Sequence, residues 1–186
     1  MNKAYLNSGG TKESDEVLTP RYGVWPIIKH LKKRGYKNIW CPFDKEDSAF
    51  VRVLKEYGFI VIDTHIENGN DFFDLDMNLL RASCDCIVSN PPFSIKDKIL
   101  KRLYEIGLPF AIILPQNSLQ SIKRVDMFKK HGLEYLGFDR RINYYTRGDL
   151  TAWKPANHFA SGYFCRNVLP SPFVLEKLMP FQEPYK

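Results

Sequence analysis

The feature that most constrains this chain is a series of short apolar runs that recur with helical segments between them. Asn38-Ile39-Trp40-Cys41, Phe59-Ile60-Val61-Ile62, Cys84-Asp85-Cys86-Ile87-Val88 and Phe110-Ala111-Ile112-Ile113-Leu114 are each about one strand long. They lack regular polar alternation, which is how strands covered on both faces read. Between them lie helical patterns. Trp25, Ile28 and Leu31 predict a helix from about Val24 to Arg34, stopped by Gly35. Phe50, Val51 and Leu54 predict another over Asp47 to Glu56, closed by Gly58. Phe72-Phe73 followed by Met77, Leu79 and Leu80 suggests a turn and a short helix. Ile99 to Ile106 and Leu119 to Lys130 are helical and end at Gly107 and Gly132. Alternation of this kind predicts an α/β class with a largely parallel, doubly wound sheet.

The pattern changes near the C-terminus. Glu134-Tyr135-Leu136-Gly137-Phe138 and Phe159 to Cys165 are strand candidates with no helix between them. Their connection, Asp139 to His158, is rich in Tyr, Arg and Gly and predicts a hairpin with a long loop, placing an antiparallel strand in the sheet. The tail from Val168 to Lys186 carries Pro170, Pro172, Pro180 and Pro184 and is expected along the surface. Residues 1–16 read as a flexible arm with little to bury, and 1–186 as a single domain.

Composition excludes several classes. No apolar run approaches the roughly 18 residues of a membrane span, and Met1 to Asp15 has no apolar core of a secretory signal, so a cytoplasmic, membrane-free protein is expected. Four cysteines, Cys41, Cys84, Cys86 and Cys165, lack paired metal-ligand spacing and read as buried thiols. The lone histidines show no metal spacing either; His30 is expected on the surface of the first helix. The formal net charge of +6 favours polyanionic partners, though solvated helix faces explain it equally.

The sharpest local feature is Ser89-Asn90-Pro91-Pro92-Phe93, directly after a strand. Ligands of doubly wound sheets bind beyond the carboxyl ends of strands. Two prolines stiffen the stretch and hold the Asn90 amide and nearby carbonyls in place. A base amine is a poor nucleophile because its lone pair is delocalised. A side-chain carbonyl and a backbone carbonyl accepting its two N–H bonds would favour the tetrahedral nitrogen of a transition state. An aromatic ring can stack on an extruded base. A plain turn explains the same residues as well; the position at a strand's end favours a site.

Asn90-Pro91-Pro92-Phe93 resembles the catalytic motif of S-adenosylmethionine-dependent amino-methyltransferases, [DNS]-P-P-[YFW], whose members include DNA N6-adenine methyltransferases of the small phage and prophage type. The resemblance implies a Rossmann-like methyltransferase sheet, S-adenosylmethionine as donor, and DNA as partner, with RNA adenine or a protein glutamine as the alternative targets. It assigns the target amine to Asn90 and Pro91, with Pro92 completing the motif, and base stacking to Phe93. Thr19-Pro20 ahead of a helix resembles the family's N-terminal cofactor motif. Cys41-Pro42-Phe43-Asp44 ends the first strand and resembles the [DE]-P-F start that approaches the methionine part of the donor, with Cys41, Pro42 and Phe43 as the binding candidates. His65, with Asp63 two positions upstream, stands where an acid often grips the ribose, and Asp71-Phe72 resembles the stretch that contacts the adenine.

The chain departs from the family in three places. Phe43-Asp44-Lys45-Glu46-Asp47 contains no glycine where the family has F-x-G-x-G, Cys41 replaces an acid, and His65 replaces another. A non-catalytic nucleic-acid-binding relative is therefore a third reading. With no length for a separate recognition domain, contact with nucleic acid is expected from the 139–158 connection, through Arg141, Tyr144, Tyr145, Arg147 and Trp153, unless that segment is an ordinary loop with packed aromatics. Neither G-x-G-x-x-G nor G-x-x-x-x-G-K-[ST] occurs, which disfavours dehydrogenases and P-loop enzymes. A monomer or homodimer fits equally.

Overall fold

The computed structural model describes residues 17–146, 149–153 and 159–179. Along the chain run β1 (Val17–Leu18), α1 (Arg21–Arg34), β2 (Asn38–Cys41), α2 (Ala49–Glu56), β3 (Ile60–Asp63), α3 (Met77–Ser83), β4 (Cys86–Ser89), α4 (Lys96–Ile106), β5 (Phe110–Pro115), α5 (Ile122–His131), β6 (Glu134–Phe138), β7 (Tyr145–Thr146), β8 (Asp149–Trp153), β9 (Ser161–Arg166) and β10 (Phe173–Glu176). The main sheet has seven strands in the order β10-β6-β9-β5-β4-β2-β3. Strands β3, β2, β4 and β5 pair in parallel, as do β6 and β10. Strand β9 is antiparallel to both β5 and β6. The architecture is therefore α/β with a mostly parallel sheet, compatible with a Rossmann-like fold.

Period-two geometry explains why the apolar runs are unbroken. Ile39, Cys41, Cys86, Val88, Ala111, Ile113, Tyr163 and Cys165 face one layer, packed with Ile27 and Leu31 of α1 and Phe50, Val53 and Leu54 of α2. Their neighbours Trp40, Ile87, Phe110, Ile112, Leu114 and Phe164 face the other, against Leu80 of α3, Leu100 and Leu103 of α4 and Met127 and Phe128 of α5. Both faces are covered, so no residue of β5 meets water. The four cysteines are buried and free, with burial pushing the thiols of Cys41, Cys86 and Cys165 well above their ordinary pKa.

The helices extend beyond their sequence-based limits in places where tertiary contacts add support. Helix α1 starts at Arg21 rather than Val24, although Pro26 lies inside it. Tyr163 donates to the Gly23 carbonyl at 2.8 Å, and the Tyr22 hydroxyl accepts from the Asn143 backbone N–H at 2.7 Å. These contacts anchor its first turn to the far end of the chain.

The C-terminal tail is a correction. Instead of lying on the surface throughout, residues 173–176 add an edge strand parallel to β6, and Leu178 is buried. The preceding turn is held from two sides. The Glu134 carboxylate accepts from the backbone N–H groups of Asn167, Val168 and Leu169 at 3.1, 2.9 and 2.7 Å. The Arg34 guanidinium donates to the Val168 and Leu169 carbonyls. These bonds fix Asn167 in the left-handed region at φ 57°. His30 is a second correction. It is buried, and its Nε2 meets Glu176 of β10 at 2.8 Å, so the face of α1 expected in solvent is covered by a strand invisible to helical periodicity. The expected arm, residues 1–16, lies outside the described residues. No helix among the described residues is long and apolar enough to cross a membrane.

Strand β9 can sit between β5 and β6 only because residue 162 lacks a side chain. A Cβ there would lie 2.6 Å from the Tyr135 hydroxyl and 2.7 Å from the Leu136 carbonyl oxygen, which belongs to the neighbouring strand. Gly162→Ala is expected to destabilise the protein by about 1–3 kcal/mol. Denaturant titration would show a lower midpoint with an unchanged slope; an unshifted midpoint would contradict this packing.

Candidate functional site

Connections in the parallel half of the sheet run in opposite directions from one point. From β2 the chain passes through α2 to β3 on one side; from β3 it returns past β2 to β4 on the other. The crevice beyond the carboxyl ends of β2 and β4 is thus the place where a ligand can reach backbone between diverging loops. The segments singled out by sequence converge there. Cys41 closes β2 beside Asp63 at the end of β3, and Ser89 closes β4, with Asn90-Pro91-Pro92-Phe93 next in the chain.

Pro91 is buried, while Asn90 and Pro92 are half-buried. Phe93 opens a short 3-10 turn that leads into α4, and Lys96 donates to its carbonyl at 3.0 Å. Its ring is only 9% exposed and packs edge-on against Phe159, centroids 5.7 Å apart. Phe159 in turn stacks on Tyr144 at 5.9 Å.

On the β2 side, Pro42 is buried and Phe43 half-buried. The glycine-free loop turns one side chain inward. Asp44 is buried and accepts a hydrogen bond from the Ser89 hydroxyl at 2.5 Å, while Glu46 and Asp47 are exposed. Burial raises the Asp44 carboxyl from 3.8 to about 7, with the nearby charge of Asp63 adding to the rise; the Ser89 and Ser48 hydroxyls oppose it. Asp44 is the residue that the sequence reading missed. Its neighbours Lys45, Glu46 and Asp47 are charged, and nothing in the local pattern tells which of these side chains turns inward.

The remaining cofactor candidates separate into available and committed groups. Thr19 and Pro20 are buried at the start of α1, and the Thr19 hydroxyl has no hydrogen-bond partner among the described residues. Asp63 is half-exposed at the end of β3. His65 caps a short turn by accepting from the Glu67 N–H at 3.2 Å. Asp71 accepts from the Phe73 N–H at 2.9 Å. Phe72 is 3% exposed, enclosed by Trp40, Phe43 and Phe73 at 5.5, 4.8 and 5.3 Å. Its ring is therefore a support, and the half-buried rings of Phe43 and Phe73 are the ones a flat ligand could reach.

The 139–158 connection differs from expectation. It forms part of a small sheet, β1-β7-β8, with the chain's first described strand. Arg141 is exposed. Tyr144 and Tyr145 are buried, which corrects their assignment as stacking residues: Tyr144 is committed to Phe159 and to the Ser161 hydroxyl at 2.6 Å, and Tyr145 pairs with Leu18. Interleaved aromatic and basic residues do not reveal which face they take. Trp153 ends β8, opposite Tyr145, and Arg147 lies outside the described residues. No group of three or more His, Cys, Asp or Glu among the described residues is placed to hold a metal.

No family model, curated protein or solved structure matches the chain.

The buried carboxyl gives a pH dependence whose sign follows from its raised pKa. Below about pH 4 Asp44 is protonated in both folded and unfolded chains. Between 3.8 and about 7 the unfolded chain releases this proton first, so stability falls as pH rises and levels off above 7. The loss through this group is on the order of 4 kcal/mol across that window. Asp44→Asn keeps an acceptor for Ser89 and removes the titration. Urea unfolding at several pH values should show the variant gaining on the parent protein as pH rises. Parallel curves would mean that Asp44 does not titrate in this window.

Proposed function

We propose that this protein transfers a methyl group from S-adenosylmethionine to the N6 amine of adenine in DNA. The observation that carries the reading is the position of Asn90-Pro91-Pro92-Phe93 at the carboxyl end of β4, across the strand-order reversal from Cys41-Pro42-Phe43. Ligands of doubly wound sheets bind beyond the carboxyl ends of strands where the order reverses, which favours a binding role for this turn over a purely structural one.

The residues around the crevice fit the donor. The loop after β2 leaves Phe43 half-buried while Asp44 turns inward to Ser89, which favours an approach of the donor despite the absence of glycine. The Thr19 hydroxyl is buried with no partner among the described residues, and Asp63 is available to a ribose. Phe43 and Phe73 offer flat surfaces to an adenine. The donor supplies an electrophilic methyl group; the protein's part is to orient the amine. The Asn90 side-chain carbonyl and the backbone carbonyl that follows accept the two amine N–H bonds, and their hold strengthens as the nitrogen becomes tetrahedral and positive. The two prolines, of which Pro91 is buried, and the Lys96 contact with the Phe93 carbonyl stiffen the stretch that carries these acceptors.

Asn90→Ala should lower kcat about a hundredfold or more, since one such acceptor contributes about 3 kcal/mol in the transition state. Donor affinity, read by calorimetry, should change little. Phe93→Ala should mainly weaken capture of the base, by about 1–3 kcal/mol, while Phe93→Tyr and Phe93→Trp keep much of the activity. Radiolabelled methyl transfer to DNA, RNA and protein, followed by nucleoside identification, tests the reading and separates its targets. A folded, fully active Asn90→Ala protein would remove the mechanism.

Nucleic-acid binding is expected to be electrostatic, given a net charge of +6. Affinity should fall linearly on logarithmic axes with salt, and replacing Arg141 and Arg147 should reduce that slope by about 2 while weakening binding to all sequences alike. Fluorescence anisotropy over a salt series measures both. A slope unaffected by the two replacements would move the docking face elsewhere.

A further inference from the structure

We propose that Asp44 is a positioning residue: through its hydrogen bond to Ser89 it sets the orientation of the Asn90 loop. The proposal rests on the reading of Asn90 as the residue that holds the amine. Its basis is geometric. Ser89 is the last residue of β4 and immediately precedes Asn90. Its side chain is fully buried and donates to the Asp44 carboxylate at 2.5 Å. The bond joins the loop after β2 to the loop after β4 at the point where the two diverge. No Lys, Arg or His among the described residues lies within ion-pair distance of Asp44, so hydroxyls alone hold it. A buried acid without a cation costs stability. Phe-Asp-Lys at this turn therefore carries a destabilising residue where Asn or Ser could supply an acceptor more cheaply.

The charge state decides what the bond does. An ionised carboxylate is acceptor-only, so Ser89 must donate to it, and the hydroxyl has one direction. A protonated carboxyl can donate as well as accept, and the constraint on Ser89 relaxes. The groups facing Asp44 are Ser48 at the start of α2, Asp63 at the end of β3, Cys41 at the end of β2 and Tyr163 on β9. Burial keeps Cys41 and Tyr163 protonated well above neutral pH, which leaves Asp63 as the charged neighbour. Its charge raises the Asp44 pKa alongside burial, to about 7. The loop is thus held most firmly above neutrality.

The test reads the loop and the reaction separately. The Asn90 side-chain amide is assigned in nitrogen-15 spectra by its loss in Asn90→Ala, then followed from pH 5.5 to 8.5. It is expected to titrate with a midpoint near 7 in the parent protein and to stay fixed in Asp44→Asn. Single-turnover methyl transfer should rise over the same interval. Asp44→Asn and Ser89→Ala should each lower the high-pH rate about tenfold, with donor affinity within twofold, and Asp44→Asn should abolish the rise. An Asn90 resonance indifferent to pH and to Asp44→Asn overturns the proposal, as does an Asp44→Asn protein with the parent's rate and pH profile. If the resonance titrates through Asp44 but no substrate is methylated, the coupling stands and the methyltransferase reading falls.

Discussion

A sheet covered by helices on both faces can recognise nothing through those faces, and this constraint organises the molecule. Every side chain of β5 is withdrawn from water, and β2 and β4 are nearly so. Recognition is forced to the strand ends, where backbone groups leave the ladder and loops must turn. The parallel direction of β3, β2, β4 and β5 gathers four such ends on one edge. The antiparallel β9 adds its beginning to the same edge, because Ser161 lies opposite Pro115. Phe159 therefore packs on Phe93 of the Asn90 loop, with Tyr144 stacked on Phe159 and bonded to Ser161, although these residues lie far apart in sequence.

That geometry also explains how much was legible in the sequence. Strand runs without polar alternation and glycines at helix ends located the strands and most helices, since both signals are local. Burial by a distant segment leaves no such signal. His30 looks like a surface residue of α1 until Glu176 arrives from β10, and β10 itself was hidden by the prolines around it. Tyr144 and Tyr145 read as available because nothing nearby shows that Phe159 stacks on the one and that the other pairs with β1. The Asn-Pro-Pro-Phe motif singled out the loop after β4; Asp44 was not singled out, because its inward turn is set by Ser89 and not by its neighbours.

Aromatic rings perform two different tasks around the crevice. Trp40 and Phe72 are enclosed and fix the loop after β3, helped by the Trp40 N–H donating to the Thr64 hydroxyl at 2.9 Å. Phe43 and Phe73 stand in front of them, half-buried. A rigid inner ring behind a partly open one makes a firm wall with little entropy left to lose when a flat ligand packs on it.

The place of β9 has a consequence for how the protein comes into being. This strand fills the gap between β5 and β6, yet it follows both of them in the chain and ends at Arg166. Until that segment leaves the ribosome, β5 and β6 each present an open, apolar edge with unpaired backbone groups. Such edges invite pairing with other chains. The protein can therefore complete its central ladder only after β9 has been made, and a message truncated shortly before codon 161 would yield a sticky half-sheet rather than a smaller folded protein.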